Sequence, residues 1–135
     1  MSATIPHPLS SLPVSSAMHE GVITCDRDTP LTEVARLMSE ERVHCVVVVD
    51  HDPRRPWGLI SDLDLTAAAS VRGLNGQTAG GTAATPVVTV APDESLERAA
   101  QLMTEHGVAH LVVAEPDNGR PVGVLSTLDI ARAAA

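Results

Sequence analysis

The chain has 135 residues, with 9 Lys or Arg and 17 Asp or Glu, so its formal net charge is −8. This length is enough for one compact fold that buries about two-thirds of its surface. The negative charge argues against nucleic acid or an anionic membrane as a partner. With one Trp, no Phe and no Tyr, the chain also lacks the aromatic platforms on which single-stranded nucleic acids stack.

The first residues carry no signal for export. They lack the basic and apolar regions of a signal peptide, and no apolar run approaches the length of a transmembrane helix. We therefore expect a cytoplasmic protein. Residues 1–13 contain three prolines and several Ser or Thr, which predicts a flexible N-terminal arm. Cys25 and Cys45 form neither a CxxC motif nor a disulfide framework, so reduced thiols are expected.

An internal repeat organises the rest of the chain. Residues 24–69 align without a gap on residues 89–134, with 19 identical positions among 46. The expected organisation is a first repeat at 14–73, a glycine-rich flexible linker at 74–84 and a second repeat at 85–135.

Each repeat predicts the element order β-α-β-β-α. Short β-branched strands open the repeats at 22–25 and 87–90. A helix follows, whose apolar residues recur at i, i+3, i+4 and i+7. Continuous apolar runs at 46–49 and 111–114 then predict strands covered on both faces. The fold class is therefore α+β. The two helical stripes are Leu31, Val34, Ala35 and Met38, and Leu96, Ala99, Ala100 and Met103.

The third strand and second helix of each repeat share a motif. Residues 58–65 read GLISDLDL, and 65 positions later the chain reads GVLSTLDI. Ser61 and Ser126 are predicted N-caps, and Asp64 and Asp129 are predicted to complete capping boxes from the third helical position. The motif also brings a hydroxyl, a carboxylate and a helix N-terminus together, which suits a ribose or a phosphate. Capping alone and nucleoside binding by at least one copy both remain open.

The β-α-β-β-α duplication, with this Ser-x-x-Asp motif in both copies, resembles a tandem pair of cystathionine β-synthase (CBS) domains, a Bateman module. The resemblance covers about residues 14–135. It implies a stand-alone regulatory module whose two repeats pack as a pseudo-two-fold pair and bind an adenosine compound in the cleft between them. AMP, ADP, ATP and S-adenosylmethionine are the candidate regulatory ligands, and no required cofactor is implied. The resemblance also implies a homodimer and an unidentified protein partner.

The resemblance assigns roles to individual positions. Asp64 and Asp129 match the acid that accepts hydrogen bonds from ribose hydroxyls, a role that suits an acceptor-only carboxylate. Ser61 and Ser126 match the hydroxyl residue near the ribose or phosphate. His110 is either a contact to a ligand phosphate or a rim histidine. The positions that match the base-contacting walls are Ile23, Thr24, Val46 and Val47, and Val88, Thr89, Leu111 and Val112.

The sequence departs from the family at two pairs of positions. Val47 and Val112 stand where Pro is common, and Leu63 and Leu128 stand where Arg or Lys often precedes the acid. ATP is therefore less expected than AMP, adenosine or S-adenosylmethionine. The remaining candidates for a phosphate contact are Arg54, Arg55 and Arg120.

The sequence is also compatible with functions other than a regulatory ligand-binding module. A structural dimerisation or protein-interaction module with empty clefts is the alternative. No nucleophile–base arrangement is visible, so no enzymatic activity is expected. The His and Cys residues include one H-x₃-H spacing, His106 and His110, but no C-x₂-C pair to complete a ligand set, so no metal site is expected. Trp57 is either a packing residue at a strand start or an interface anchor or pocket lid.

Overall fold

The structure, a computed structural model, describes residues 8–135. These residues divide into two units, each assembled from segments that are not contiguous in the sequence. The Asp64 unit comprises residues 22–87 and 117–121, and the Asp129 unit comprises residues 8–21, 88–116 and 122–135.

The predicted β-α-β-β-α order is confirmed in both repeats, as β2-α1-β3-β4-α2 and as β5-α4-β6-β7-α5. No helix within residues 8–135 is long and apolar enough to cross a bilayer. In chain order, the elements of residues 8–135 are a 3-10 turn (Val14–Ser16), β1 (His19–Glu20), β2 (Thr24–Asp26), α1 (Leu31–Glu41), β3 (Cys45–Val49), β4 (Pro56–Ser61), α2 (Asp62–Arg72), α3 (Ala79–Thr82), β5 (Thr89–Val90), α4 (Leu96–His106), β6 (His110–Ala114), β7 (Pro121–Ser126) and α5 (Thr127–Ala134).

The strands of the described region form two sheets. One has the order β2-β3-β4, with β2 parallel and β4 antiparallel to the central strand. The other has the order β1-β7-β6-β5, with β5 parallel to β6 and β1 antiparallel to β7. The strand β1 is an addition to the predicted repeat, because it precedes the first repeated strand and pairs with the last one.

Each unit has its own hydrophobic core under its first long helix. In the Asp64 unit, Leu31, Val34 and Met38 of α1 are buried against β3 and β4 residues such as Val46 and Ile60. Burying a side chain of this size contributes about 1.5–3 kcal/mol. The apolar stripe read from the sequence is therefore the face that α1 buries. The Asp129 unit repeats the arrangement with Leu96, Ala99 and Met103 of α4 against Leu111, Val113 and Leu125.

The segment before the first repeat belongs to the core of the Asp129 unit. Leu9 and Val14 are 4% and 0% exposed, and both lie in the cluster that contains Leu96. The Val14 N–H donates to the Glu94 carbonyl at 2.8 Å. This packing differs from the flexible arm expected for residues 1–13, of which residues 1–7 lie outside the described residues.

The predicted linker, 74–84, is also packed, within the Asp64 unit. The helix α3 begins after Thr78, whose side chain accepts from the Gly81 N–H, and Ala79 is fully buried. Ala84 exchanges two backbone hydrogen bonds with Leu59 of β4, at 2.8 and 3.1 Å. The glycine-rich composition therefore predicted a looser segment than the structure contains.

Candidate functional site

The predicted site residues of the Asp64 unit meet at one edge of its sheet. In the register, Thr24 lies beside Val47 and Ser61 lies beside Cys45. Because β2 and β3 run parallel and β4 runs antiparallel, the starts of β2 and β3 lie where β4 ends. The carbonyl of Ile23 extends the ladder by accepting from the Val47 N–H at 2.9 Å. Thr24, Cys45 and Ser61 define this Asp64 edge.

The Asp129 unit has an equivalent edge. Thr89 lies beside Val112, and the carbonyl of Val88 accepts from the Val112 N–H at 3.0 Å. The N–H of Thr127 donates to the Ala109 carbonyl at 3.0 Å, which ties the end of β7 to the start of β6. His110 begins β6 and is half-buried.

A capping box joins β4 to α2, as the sequence predicts. The Ser61 Oγ accepts from the Asp64 N–H at 3.2 Å, and the Asp64 Oδ2 accepts from the Ser61 N–H at 2.8 Å. The Ser61 hydroxyl also donates to Oδ2 at 3.0 Å. Asp64 is half-buried, and no side chain or N–H of residues 8–135 hydrogen-bonds its other oxygen, Oδ1. The box thus fixes the carboxylate while one oxygen stays available to a donor.

The second capping box has the same geometry and a different neighbour. The Asp129 Oδ2 accepts from the Ser126 N–H at 2.8 Å and from its hydroxyl at 2.9 Å. Asp129 is 5% exposed, and its Oδ1 lies 3.4 Å from the Nε2 atom of His19 on β1. Both oxygens of this carboxylate therefore have a partner. The sequence did not reveal His19, because the aligned repeat begins at residue 24.

The predicted base-contacting residues differ in accessibility. Ile23 and Val88 are half-buried, and Thr24 and Thr89 are exposed. These strand-start residues therefore supply the accessible surface at each edge. The four strand-centre residues, Val46, Val47, Leu111 and Val112, have no exposed surface. Val46 belongs to the core of the Asp64 unit and Leu111 to the core of the Asp129 unit.

The Asp64 edge carries two carboxylates, Asp62 and Asp64, and the neutral thiol of Cys45. His44 Nδ1 lies 2.9 Å from Asp62 Oδ2, and both side chains are exposed. Burial raises the pKa of Cys45 to about 12, with smaller contributions from the Asp64 and Asp62 carboxylates. Burial likewise raises the pKa of Cys25 to about 11. Neither thiol is therefore ionised near pH 7, as a nucleophile or a metal ligand would be.

The arginines that the sequence offered for a phosphate lie far from the serines of their own repeats. Arg54 and Arg55 precede β4 and pair with Asp52 at 3.4 and 3.8 Å. Ser61 ends the same strand, and a strand of this length spans roughly 20 Å. Arg120 likewise precedes β7, whereas the serine of that repeat ends it. Within each repeat, a phosphate bound beside the serine would therefore lie far from the arginines of that same repeat.

Trp57 is a packing residue. It is half-buried and packs against the core of the Asp64 unit. The guanidinium carbon of Arg27 lies 4.2 Å from the ring centroid, in a cation–π contact that contributes about 0.5–1 kcal/mol at an exposed site. Of the two interpretations of Trp57, packing at a strand start is therefore the one that its contacts match.

Two surface cavities lie at the strand ends that are opposite the two edges described above, and no predicted site residue lines them. Their volumes are about 510 and 450 Å³. The first is lined by Pro13, Ser15, Pro92, Asp93, Glu115 and Pro116, and the second by Arg27, Asp28, Asp50, His51, Thr78, Gly80 and Gly81.

Comparison with known proteins identifies relatives that share both repeats. The CBS domain model matches residues 14–71 and 82–135. The protein MK0525 of Methanopyrus kandleri is 29% identical over 124 residues, which are 90% of this chain and 62% of that protein. The CBS domain-containing protein YhcV of Bacillus subtilis is 29% identical over 119 residues, 87% of this chain and 82% of that protein. The chain thus spans less than two-thirds of MK0525.

A solved structure has the same fold. The CBS domain protein PAE2072 from Pyrobaculum aerophilum, complexed with AMP, is similar with a TM-score of 0.76 and 28% identity. The match covers 87% of this chain and 89% of that chain. Because the family model matches both repeats, and because both units have the β-α-β-β-α order with its capped Ser-x-x-Asp junction, this chain belongs to the CBS domain family as a tandem pair.

Proposed function

We propose that this CBS pair is a regulatory module that binds an adenosine-type ligand and signals the binding to a protein partner. The observation that carries the proposal is the Asp64 carboxylate, which its capping box fixes with Oδ1 unpartnered among residues 8–135. A ribose offers two adjacent O–H donors, and an ionised carboxylate only accepts. Ile23 and Thr24 lie at the same sheet edge and offer accessible surface for the base.

The charges at this edge favour a ligand with few phosphates. Asp62 adds a second carboxylate beside Asp64, and Leu63 stands between them where a cation would meet a phosphate. A triphosphate next to two carboxylates is disfavoured by Coulomb repulsion. We therefore rank AMP and adenosine above ADP and ATP, and the AMP complex of the Pyrobaculum aerophilum relative supports this order. S-adenosylmethionine, whose sulfonium is positive, also fits the charge pattern.

Thermal melting tests the sensor function directly. We expect adenosine, AMP or S-adenosylmethionine to raise the melting temperature, because a ligand at 100 times its dissociation constant stabilises the native state by about 2.7 kcal/mol. For a chain of this size the shift is about 10 °C. Uridine monophosphate is the control for a phosphate and ribose without adenine. No shift with any adenosine compound up to millimolar concentration would overturn the proposal.

The second candidate function is a structural dimerisation or protein-interaction module. Three large apolar side chains are exposed on the helices that follow the motif, and such side chains mark contact surfaces when they cluster. They are Leu63 and Val71 on α2, at 73% and 80% exposure, and Leu128 on α5, at 56%.

The double variant Leu63→Glu, Leu128→Glu tests whether these exposed side chains mediate association. If these side chains are buried in a dimer, each replacement removes about 1.5–3 kcal/mol of burial and weakens association at least tenfold. Light scattering coupled to size-exclusion chromatography should then show a dimer for the native chain and a monomer for the variant. The control is the double variant Thr32→Glu, Gln101→Glu, which adds the same two charges at exposed positions of other helices, α1 and α4. A native chain that elutes as a monomer at all concentrations would contradict this function.

A further inference from the structure

We infer that the two motif acids are unequal: Asp64 is available to a ribose, whereas the imidazole of His19 closes Asp129. The inference rests on the proposed function, since it says which of the two acids serves it. The capping boxes themselves are alike, so the difference must come from what lies beside each one.

The neighbouring positions are equivalent in the two units. His19 pairs with Val124 of β7, and Ala84 pairs with Leu59 of β4, in both cases antiparallel. His19 and Ala84 are separated by 65 positions, and so are Leu59 and Val124, which is the offset of the repeat. Position 19 therefore bears the same relation to the Asp129 box as position 84 bears to the Asp64 box.

The side chain at position 19 reaches the acid. His19 Nε2 lies 3.4 Å from Asp129 Oδ1, and the Asp129 side chain is only 4% exposed. The other oxygen, Oδ2, already accepts two hydrogen bonds from Ser126. A ribose hydroxyl must come within about 2.5–3.0 Å of a carboxylate oxygen to bond it. It can therefore reach Oδ1 only after the imidazole moves away.

The side chain at position 84, an alanine, does not reach the Asp64 carboxylate. Alanine ends at Cβ and carries no polar group, and within residues 8–135 the Asp64 Oδ1 has no hydrogen-bond or ion-pair partner. The two equivalent positions carry different residues, His19 and Ala84. This difference explains why Asp129 is closed and Asp64 is available.

Calorimetric titration with AMP as the probe tests the inference. We expect one AMP per native chain and two per chain for His19→Ala, because removal of the imidazole frees the second acid. Adding Asp129→Asn to His19→Ala should return the count to one. The reciprocal variant Ala84→His should weaken AMP binding by at least tenfold, because it places an imidazole beside Asp64. His19 is 71% exposed, so its replacement leaves the core intact.

Two AMP per native chain, one AMP for His19→Ala, or native affinity in Ala84→His would each overturn the inference. A measurement without ligand separates it from the proposed function. The NMR signals of the His19 ring should shift on Asp129→Asn, and unchanged signals would also overturn the inference. If the signals shift and neither the native chain nor His19→Ala binds AMP, adenosine or S-adenosylmethionine, the closure of Asp129 stands and the proposed function fails.

Discussion

Replacing Leu9 with alanine is expected to lower the free energy of unfolding by about 2–5 kcal/mol. Leu9 is 4% exposed and packs in the cluster of Val14, Leu96 and Leu111. Truncation removes buried apolar area and leaves a cavity that its neighbours fill only in part. Because whole domains are stable by about 5–15 kcal/mol, the loss should be plain in a chemical denaturation curve.

Leu63→Ala is the matched control, because it removes the same atoms from a side chain that is 73% exposed. Its effect should stay within about 0.5 kcal/mol. Equal stabilities for Leu9→Ala and Leu63→Ala would show that the segment before the first repeat does not contribute to the core of the Asp129 unit.

The second large effect concerns Asp64. We expect Asp64→Asn to weaken adenosine binding at least tenfold while the chain stays folded. Hydrogen bonds to a charged acceptor contribute about 1.5–3 kcal/mol each, against about 0.5–1.5 kcal/mol for neutral pairs. The amide oxygen keeps the shape of the carboxylate and can still accept from the Ser61 N–H, so the helix remains capped. Titration calorimetry gives the affinities, and circular dichroism checks the fold.

Asp62→Asn is the control for charge. Asp62 is exposed and pairs with His44, and its replacement removes the same charge from the same helix N-terminus as Asp64→Asn. Its effect on adenosine affinity should stay within about threefold, since the ribose bonds are unaffected. An equal loss in both variants would mean that the net charge of the edge, rather than a direct bond to Asp64, controls binding.

The parts of this structure that could be predicted from the sequence are local. Each capping box spans four consecutive residues, so Ser61 and Asp64 can be recognised from spacing alone. The buried stripe of α1 likewise follows from period-3.6 apolar spacing, and the Val-rich run of β3 from its continuous apolar character. The pairing of β3 with β2 on one side and β4 on the other brings the strand-start residues Ile23 and Thr24 to the same edge as Ser61, as the register shows.

The parts that could not be predicted depend on contacts across long stretches of chain. Leu9 lies in a stretch rich in Pro and Ser with no helical or strand period, and its partners Leu96 and Leu111 are far away in sequence. His19 meets Asp129 only because β1 pairs with β7. No local pattern encodes either contact, so composition predicted flexibility where tertiary packing gives order.

The most direct test of Asp64 as the ribose acceptor compares the binding of adenosine with that of 2′,3′-dideoxyadenosine, which lacks both ribose hydroxyls. The native chain should bind adenosine at least tenfold more tightly, because the dideoxy compound cannot donate to Asp64. In Asp64→Asn the difference between the two ligands should shrink severalfold, as expected when the two groups interact. Equal affinity of the native chain for both compounds would contradict the assignment of Asp64 as the ribose acceptor.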